Sequence, residues 1–379
     1  MVTTLNVLPV NPHDPAAILP ELAAALEGRA SYLPVPLHDA ARSSILRNSQ
    51  RAGEPIDASV ALVVGTSGST GTPKGAQLTA SNLEASASAT HKLLGGPGQW
   101  LLAMPAYHIA GLQVLVRSLI AGTEPVCVDV TDGFSVAAFA DGAAQLTGDR
   151  AYTSLAPLQL TKAIQTREGI AALQLFDAVL VGGAAINPQV AARAEAEGIN
   201  VVATYGSSET AGGCVYDGQP IPGAQIAVEN GRVWLGGPMI AQGYRNAPGH
   251  EAFSRPGWFG TSDGGKLVDG LLVLTGRLDT VIDSGGLKLH PEVLEQELLT
   301  IDGVTGACVV GVPHARLGQA IVAAYEGSAT LGDVMDGLGD AEDAGRLNHW
   351  MIPKDLRHVD ALPLTGPGKV DRQKVAELF

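Results

Sequence analysis

Three times the chain runs through a short, largely apolar segment straight into glycine: residues 61–65, residues 177–181 before Gly182-Gly183, and residues 200–205 before Gly206. Runs this short that are apolar almost throughout read as strands buried on both faces. Helical patterns lie between or after them, over residues 78–94, around 111–121 and over 188–197, with Thr79 or Ser81 as the N-cap of the first. Further strands are expected at 101–105 and 124–130. This alternation predicts a mainly parallel α/β sheet. Such sheets bind ligands at the carboxyl ends of their strands, where these glycines lie.

The pattern changes twice further on. Between residues 226 and 274 short strands with turn signals dominate, as at Glu229-Asn230-Gly231 and Val268-Asp269-Gly270, which predicts an antiparallel or barrel-like layer. After Arg277-Leu278-Asp279 the order becomes strand, helix (291–299), strand (307–312), strand (319–325), helix (330–347) and a loop-rich tail, enough for a small α+β domain. The expected division is therefore a large domain over 1–278 and a small one over 280–379.

Charge narrows the partners. With 24 Lys+Arg against 38 Asp+Glu the formal net charge is −14, and the lysines are scattered, so nucleic acid and anionic membrane surfaces are disfavoured. No run of 18 apolar residues occurs, and the stretch 100–122 is broken by Pro105, His108 and Arg117. The first 21 residues lack a basic start and an apolar core, so a cytoplasmic location is expected. Cys127, Cys214 and Cys308 are far apart and read as small buried hydrophobes rather than disulfide or zinc ligands.

The segment that carries most chemistry is Thr66-Ser67-Gly68-Ser69-Thr70-Gly71-Thr72-Pro73-Lys74-Gly75. Its glycines allow close backbone approach, and its hydroxyls and ammonium supply donors for phosphate oxygens. A Walker A loop needs Lys directly after Gly and Ser/Thr directly after Lys. Here Thr72-Pro73 intervene and Gly75 follows, so a P-loop NTPase is excluded. A Ser/Gly linker has no reason to follow a buried strand directly.

This decapeptide resembles the phosphate-binding signature of the adenylate-forming acyl-CoA synthetases, luciferases and peptide-synthetase adenylation domains. Five further segments agree in the family's order. Gly182-Gly183-Ala184 resembles the adenine loop. Tyr205-Gly206-Ser207-Ser208-Glu209-Thr210 resembles the tyrosine–glycine–hydroxyl–glutamate motif. The segment ending at Asp263 resembles the ribose-binding aspartate region. Gly276-Arg277-Leu278-Asp279 resembles the hinge, and the segment around Gly366-Pro367-Gly368-Lys369 resembles the catalytic-lysine loop.

The resemblance implies an adenylate-forming fold, a large N-terminal α/β domain with a β-rich subdomain and a mobile α+β lid pivoting at Asp279. It implies ATP, Mg²⁺ and coenzyme A as reactants and cofactor. Thr66, Ser67, Gly68, Ser69, Thr70, Gly71 and Lys74 would cradle phosphates; Gly182, Gly183, Ala184, Tyr205, Gly206, Ser207 and Ser208 would frame the nucleotide. Glu209 would hold Mg²⁺ on the phosphates, since that ion favours one or two carboxylates plus phosphate oxygens. Asp263 and Arg277 would take ribose or phosphate oxygens, and Lys369 would neutralise charge at the α-phosphate. Gly285, Gly286 and Lys288 would contact CoA. The chain departs from the family's pattern in having only 65 residues before the phosphate loop, in Ser262 for a usual glycine and in Val293 for a usual carboxylate. A shortened first subdomain is expected, and a homodimer is compatible with the family.

The stretches 106–121 and 205–218 resemble most the 2-succinylbenzoate–CoA ligases of menaquinone biosynthesis. That acid carries two carboxylates, and a buried one needs a polar partner. His108, Arg117, Gly206 and Ser208 are the candidates for the acyl pocket, with His108 also counted among the catalytic groups. His108 serves equally as a wall residue, and Arg117 reads rather as a helix-surface charge. Other aromatic or short-chain acids, and an inactive nucleotide-binding module on the same fold, are the alternatives.

Overall fold

The computed structural model describes residues 1–66, 72–364 and 370–379. Strands β1 (Val2–Val10), β2 (Ser31–Pro36), β3 (Pro55–Asp57), β4 (Val60–Gly65) and β5 (Gly75–Thr79) form a sheet of order β3-β1-β2-β4-β5. Its inner strands β1, β2 and β4 are parallel, and both edges are antiparallel. Leu5, Leu33, Val35, Ile56, Val60 and Val63 pack beneath the helix Ala40–Ser49 through Leu46. Residues 1–57 supply three of this sheet's five strands.

The second sheet comprises β6 (Gln99–Leu102), β7 (Val126–Cys127), β8 (Ala151–Leu155), β9 (Ala178–Gly182), β10 (Val201–Ser207), β11 (Gly212–Tyr216) and β12 (Gln219–Pro220). Its order is β12-β11-β10-β9-β8-β6-β7, parallel from β7 to β10 and antiparallel beyond. The parallel α/β expectation holds for this sheet, with strand bounds shifted by a few residues. One boundary needs correction. Residues 75–79 are a strand, and the helix begins only at Ala80. Thr79 caps it reciprocally with Asn82, at 2.9 and 3.1 Å, which stops the helix from taking in Leu78.

The third sheet has the order β13 (Gln225–Glu229), β14 (Arg232–Gly236), β15 (Trp258–Val268), β16 (Leu271–Arg277), in the stretch where short strands were expected. The fourth contains β17 (Ile282–Ser284), β18 (Leu287–Leu289), β19 (Val304–His314), β20 (Gly318–Gly327) and β21 (Asp355–His358). The helices Pro291–Thr300 and Leu331–Asp343 close its core around Leu294, Leu298, Val309 and Tyr325. The chain forms two compact units. One is Met1–Gly183, Ala194–Ala227 and Trp234–Thr261; the other is Ala184–Arg193, Val228–Val233 and Ser262–Phe379.

Within the second unit, Arg372 ties the helix Arg372–Ala376 to the helix Pro291–Thr300 and to β19. Its guanidinium donates to both carboxylate oxygens of Glu295, at 2.5 and 3.0 Å, and to the Val309 carbonyl at 2.8 Å. Glu295 also accepts from the Val309 N–H at 2.8 Å. Burial raises the Glu295 carboxyl despite the arginine beside it, so the acid depends on that partner. Val293 is partly exposed on the same helix, and its missing carboxylate takes nothing from this pair.

Arg372→Met should therefore cost about 3 kcal/mol in urea unfolding, because Glu295 stays buried without a counter-charge. Adding Glu295→Met should restore most of the loss. A single variant as stable as the parent would show that the pair is not holding this end of the chain.

Candidate functional site

Strands β4 and β5 bring the two ends of the phosphate-loop segment together. Gly65 faces Gly75 in register, and the Thr66 N–H donates to the Lys74 carbonyl at 2.8 Å. Gly75 admits no side chain, because a Cβ there would lie 2.0 Å from Gln50 Oε1 and 2.7 Å from Val63 Cγ1. Gln50 Nε2 instead donates to the Pro73 carbonyl at 2.7 Å. Ser67, Gly68, Ser69, Thr70, Gly71 and Lys369 lie outside the described residues.

A segment that the sequence reading passed over braces this region. Residues 241–246 run along β5, with Gln242 N–H to Gln77 O and Gln77 N–H to Gly243 O at 2.9 Å, and Arg245 N–H to Gly75 O at 2.8 Å. Asn246 accepts from the Gly75 N–H at 3.1 Å and donates to the Pro73 carbonyl at 2.9 Å. The buried Arg245 guanidinium donates to the carbonyls of Gln50, Arg51 and Pro55. Lys74 Nζ lies 2.9 Å from His250 Nε2 and 5.2 Å from the centre of the Tyr244 ring.

Glu209 sits on the turn Ser208–Thr210 that follows β10. It is buried, and Tyr244 Oη donates to its Oε1 at 2.6 Å. Burial, and then the carboxylate itself, push the Tyr244 phenol up, so it remains a donor. The turn is held from below. Thr210 Oγ1 accepts from Ser207 N–H at 2.9 Å and donates to Gly212 O at 2.6 Å, while Ser86 and Gln113 both donate to Ala211 O, at 3.0 and 2.8 Å. Gln113, another residue not singled out beforehand, ties the helix Ile109–Ala121 to this turn. Tyr205 and Gly206 lie on β10, where the register shifts between them. Gly182 ends β9, and Gly183 (φ +89°) and Ala184 follow it.

A buried carboxylate held by a phenol through one oxygen can share an ion with phosphates. Among the described residues no group of three or more His, Cys, Asp or Glu could cage a metal. Mg²⁺ needs no such cage, since it takes one or two carboxylates, phosphate oxygens and water.

His108 is the N-cap residue of Ile109–Ala121, half-buried, with its ring 4.5 Å from that of Tyr107. Arg117 overturns its reading as a helix-surface charge: it is 3% exposed. Its guanidinium stacks 4.9 Å from the Trp100 ring and reaches the hydroxyls of Thr90 and Tyr216 only at 3.4 Å. Among the described residues no carboxylate pairs with it, and its Nε and the Gln113 Oε1 one turn earlier are buried without hydrogen-bond partners. Burial lowers the guanidinium's pKa. Burial, and then Arg117, hold His91 at a pKa of about 4, leaving it neutral to accept from Trp100 Nε1 at 3.1 Å.

The remaining predicted residues belong to the second unit. Asp263 and Arg277 face each other across β15 and β16, with 3.7 Å between carboxylate and guanidinium. Arg277 Nε donates to Asp279 at 2.8 Å, and a second nitrogen completes a bidentate pair. That pair raises the Arg277 pKa; for Asp279 burial acts upward, but the guanidinium outweighs it and leaves the carboxyl lowered. Gly285 (φ +66°) and Gly286 (φ +86°) form the two-residue turn between β17 and β18, a conformation that demands glycine. Lys288 follows on the exposed β18. Burial raises the thiols of Cys214 and Cys308 to about 12 and that of Cys127 to about 11, consistent with inert hydrophobes. Among the described residues no helix is long and apolar enough to cross a membrane.

Residues 12–245 match the family model described as AMP-binding enzyme, and residues 293–369 match the AMP-binding enzyme C-terminal domain. The chain belongs to the AMP-binding enzyme family. It is 45% identical over 370 residues to a Mycobacterium tuberculosis protein named Probable 2-succinylbenzoate–CoA ligase, covering 96% of this chain and 95% of that one. It is 30% identical over 390 residues to the 2-succinylbenzoate–CoA ligase of Escherichia coli K12, covering 98% and 82%. In fold it is similar to the Bacillus subtilis o-succinylbenzoate CoA synthetase solved with the acyl-adenylate intermediate OSB-AMP, with a TM-score of 0.72 at 23% identity over 97% of this chain and 81% of that one.

The buried basic cluster makes stability depend on pH. The folded state keeps His91 neutral down to about 4, whereas the unfolded chain protonates it near 6.5. Between these values the unfolded state binds more protons, so stability falls as pH falls. At pH 5 this amounts to on the order of 2 kcal/mol. His91→Gln should flatten the fall in melting temperature between pH 7 and pH 5. An unchanged slope would contradict a neutral His91.

Proposed function

We propose that the protein joins 2-succinylbenzoate to coenzyme A in two steps, through an acyl-adenylate, releasing AMP and pyrophosphate. In the first step the succinyl carboxylate attacks the α-phosphate of ATP and pyrophosphate leaves. In the second the CoA thiol attacks the acyl carbonyl and AMP leaves. The identity to ligases named for this reaction supports it, as does the order of the motifs.

The observation that carries the substrate reading is Arg117. A guanidinium out of water with no acid beside it is costly unless a ligand supplies the negative charge. An acid with a second, non-reacting carboxylate supplies it. His108, at the start of the same helix, together with Gly206 and Ser208 on the β10 side, would line the reacting end. Octanoate would leave Arg117 unpaired.

The phosphate loop and Lys74 would hold the triphosphate, and Gly182, Gly183, Ala184, Tyr205 and Ser207 the nucleotide. Glu209 would hold Mg²⁺, which when bound offsets phosphate charge. Asp263 would accept the ribose hydroxyls and Arg277 would neighbour them. Residues 280–379 would turn about Asp279, presenting Lys369 for adenylation and the Gly285-Gly286 turn with Lys288 for CoA. That assigns the two half-reactions to two faces of one domain.

Two measurements test the reading. In a panel scored by CoA-thioester formation, 2-succinylbenzoate should exceed benzoate, succinate and octanoate by at least tenfold in kcat/KM, since a substrate lacking one carboxylate leaves buried polar groups unpaired at ~1–3 kcal/mol. Equal turnover of octanoate would sink the substrate assignment, and ADP in place of AMP and pyrophosphate would sink the reaction. Lys369→Ala should slow adenylation by on the order of 10²–10³, the scale of one lost preorganised donor. Thioester formation from pre-made acyl-adenylate should survive. Equal damage to both half-reactions would show that the lysine does not divide them.

A further inference from the structure

The motifs leave Tyr244 without a task, yet the structure puts it between the groups proposed to handle the triphosphate. Its hydroxyl donates to Glu209 Oε1 at 2.6 Å, and its ring lies 5.2 Å from Lys74 Nζ. His250 packs edge-on against the ring at 5.1 Å while its Nε2 meets Lys74 Nζ at 2.9 Å. Tyr244 is 5% exposed, so neither end of it moves freely. The backbone fixes it as well, through a bridge between Ala76 and Tyr244 and through the bond from Ala241 N–H to the Glu209 carbonyl at 2.8 Å.

We propose that Tyr244 is the positioning residue for Glu209, setting which carboxylate oxygen meets the metal, and that it keeps Lys74 in register with that oxygen. The proposal rests on the reading of Glu209 as the metal carboxylate. The physical reason is geometric. A glutamate side chain has three rotatable torsions, and a short loop-borne carboxylate presents either oxygen unless one is engaged. The phenol engages Oε1 and thereby turns Oε2 to the ion. A buried hydroxyl bonded to a charged acceptor is among the stronger neutral-to-charged bonds available. The same ring offers its face to the Lys74 cation, so one rigid side chain sets the separation between a carboxylate and an ammonium that must grip one phosphate chain.

The test reads binding as well as turnover. ATP affinity is measured by calorimetry with and without Mg²⁺ for the parent protein, Tyr244→Phe and Glu209→Gln, and the Mg²⁺-dependent gain is compared. Tyr244→Phe keeps the ring beneath Lys74 and removes only the hydroxyl. It should leave Mg²⁺-free ATP affinity unchanged and cut the Mg²⁺-dependent gain roughly tenfold, the scale of one hydrogen bond to a charged group. The Mg²⁺ concentration for half-maximal adenylation should rise by a similar factor, with kcat at saturating Mg²⁺ nearly preserved. A merely structural role would lower kcat and melting temperature together and leave the metal response alone. Glu209→Gln should abolish the gain, and the double variant should be no worse than Glu209→Gln alone.

If Glu209→Gln abolishes the gain but Tyr244→Phe keeps it whole, the positioning role is wrong and the metal reading stands. If Glu209→Gln keeps the gain whole, the metal reading fails and the positioning role falls with it. Should Tyr244→Phe lose its cooperative melt, Tyr244→His, whose shorter ring ends short of the Glu209 carboxylate and so also removes the bond, serves as the second variant. A melt like the parent's with an unaltered metal response there also overturns the proposal.

Discussion

The hydrogen bonds that lay residues 241–246 along β5 are the constraint on which the first unit's site depends. Loop segments that bind phosphate work by backbone geometry, so their ends must be fixed more firmly than a loop fixes itself. Here the near end is held by β4, and the far end by Gln242, Arg245 and Asn246 acting on Gly75, Gln77 and Pro73. Arg245 then bolts the brace to the Gln50–Pro55 region, spending its fork on three carbonyls. Without the brace, Gly75 would be held only by its pairing with β4. With it, the segment before Gly75 closes on a rigid edge.

The other demanding feature is the charge inside the helix Ile109–Ala121. That helix is apolar almost all round, with Leu112, Val114, Leu115 and Val116 buried, and a helix of this kind normally carries no ion at all. Arg117 is tolerated because its plane stacks on Trp100, its edges meet two hydroxyls, and the one titratable base nearby, His91, stays neutral. These contacts soften the desolvation without cancelling the charge. Two other arginines of the chain are satisfied, Arg372 by Glu295 and Arg245 by three backbone carbonyls, whereas the Nε of Arg117 has no partner among the described residues. That unmet nitrogen supports the binding role proposed for Arg117.

The sequence made the parallel sheet legible because buried strands leave an unambiguous signature, apolar runs ending in glycine. It also exposed the motif residues, since Gly, Ser and Lys at fixed spacing have few other uses after a strand. It concealed β5, because Gly75-Ala76-Gln77-Leu78-Thr79 is too short and mixed to show a period, and its pairing with β4 and 241–246 is a tertiary fact. Tyr244, Gln113 and Asn246 were hidden for a related reason. Each does its work through a partner at least 30 residues away, and an isolated tyrosine or amide carries no local mark of it. Arg117 was misjudged in favour of a helix-surface charge because a helix with one charge among apolar residues looks amphipathic until its packing is known.

The second unit adds a coupling that only the geometry reveals. Arg277 has one fork and two acids. Asp279 holds it bidentately, and Asp263, its register partner across the hairpin, stands at 3.7 Å. On the proposed hinge, a backbone turn at Asp279 swings that carboxylate off the guanidinium. A guanidinium relieved of one carboxylate keeps its attraction to another already 3.7 Å away. Arg277 would then close on Asp263, the proposed ribose acceptor, and compete with the ribose for its oxygens. With Asp279 as the proposed hinge and Asp263 as the proposed ribose acceptor, the same three side chains would join the conformation of the lid to the grip on the nucleotide, the looser grip belonging to the turned state.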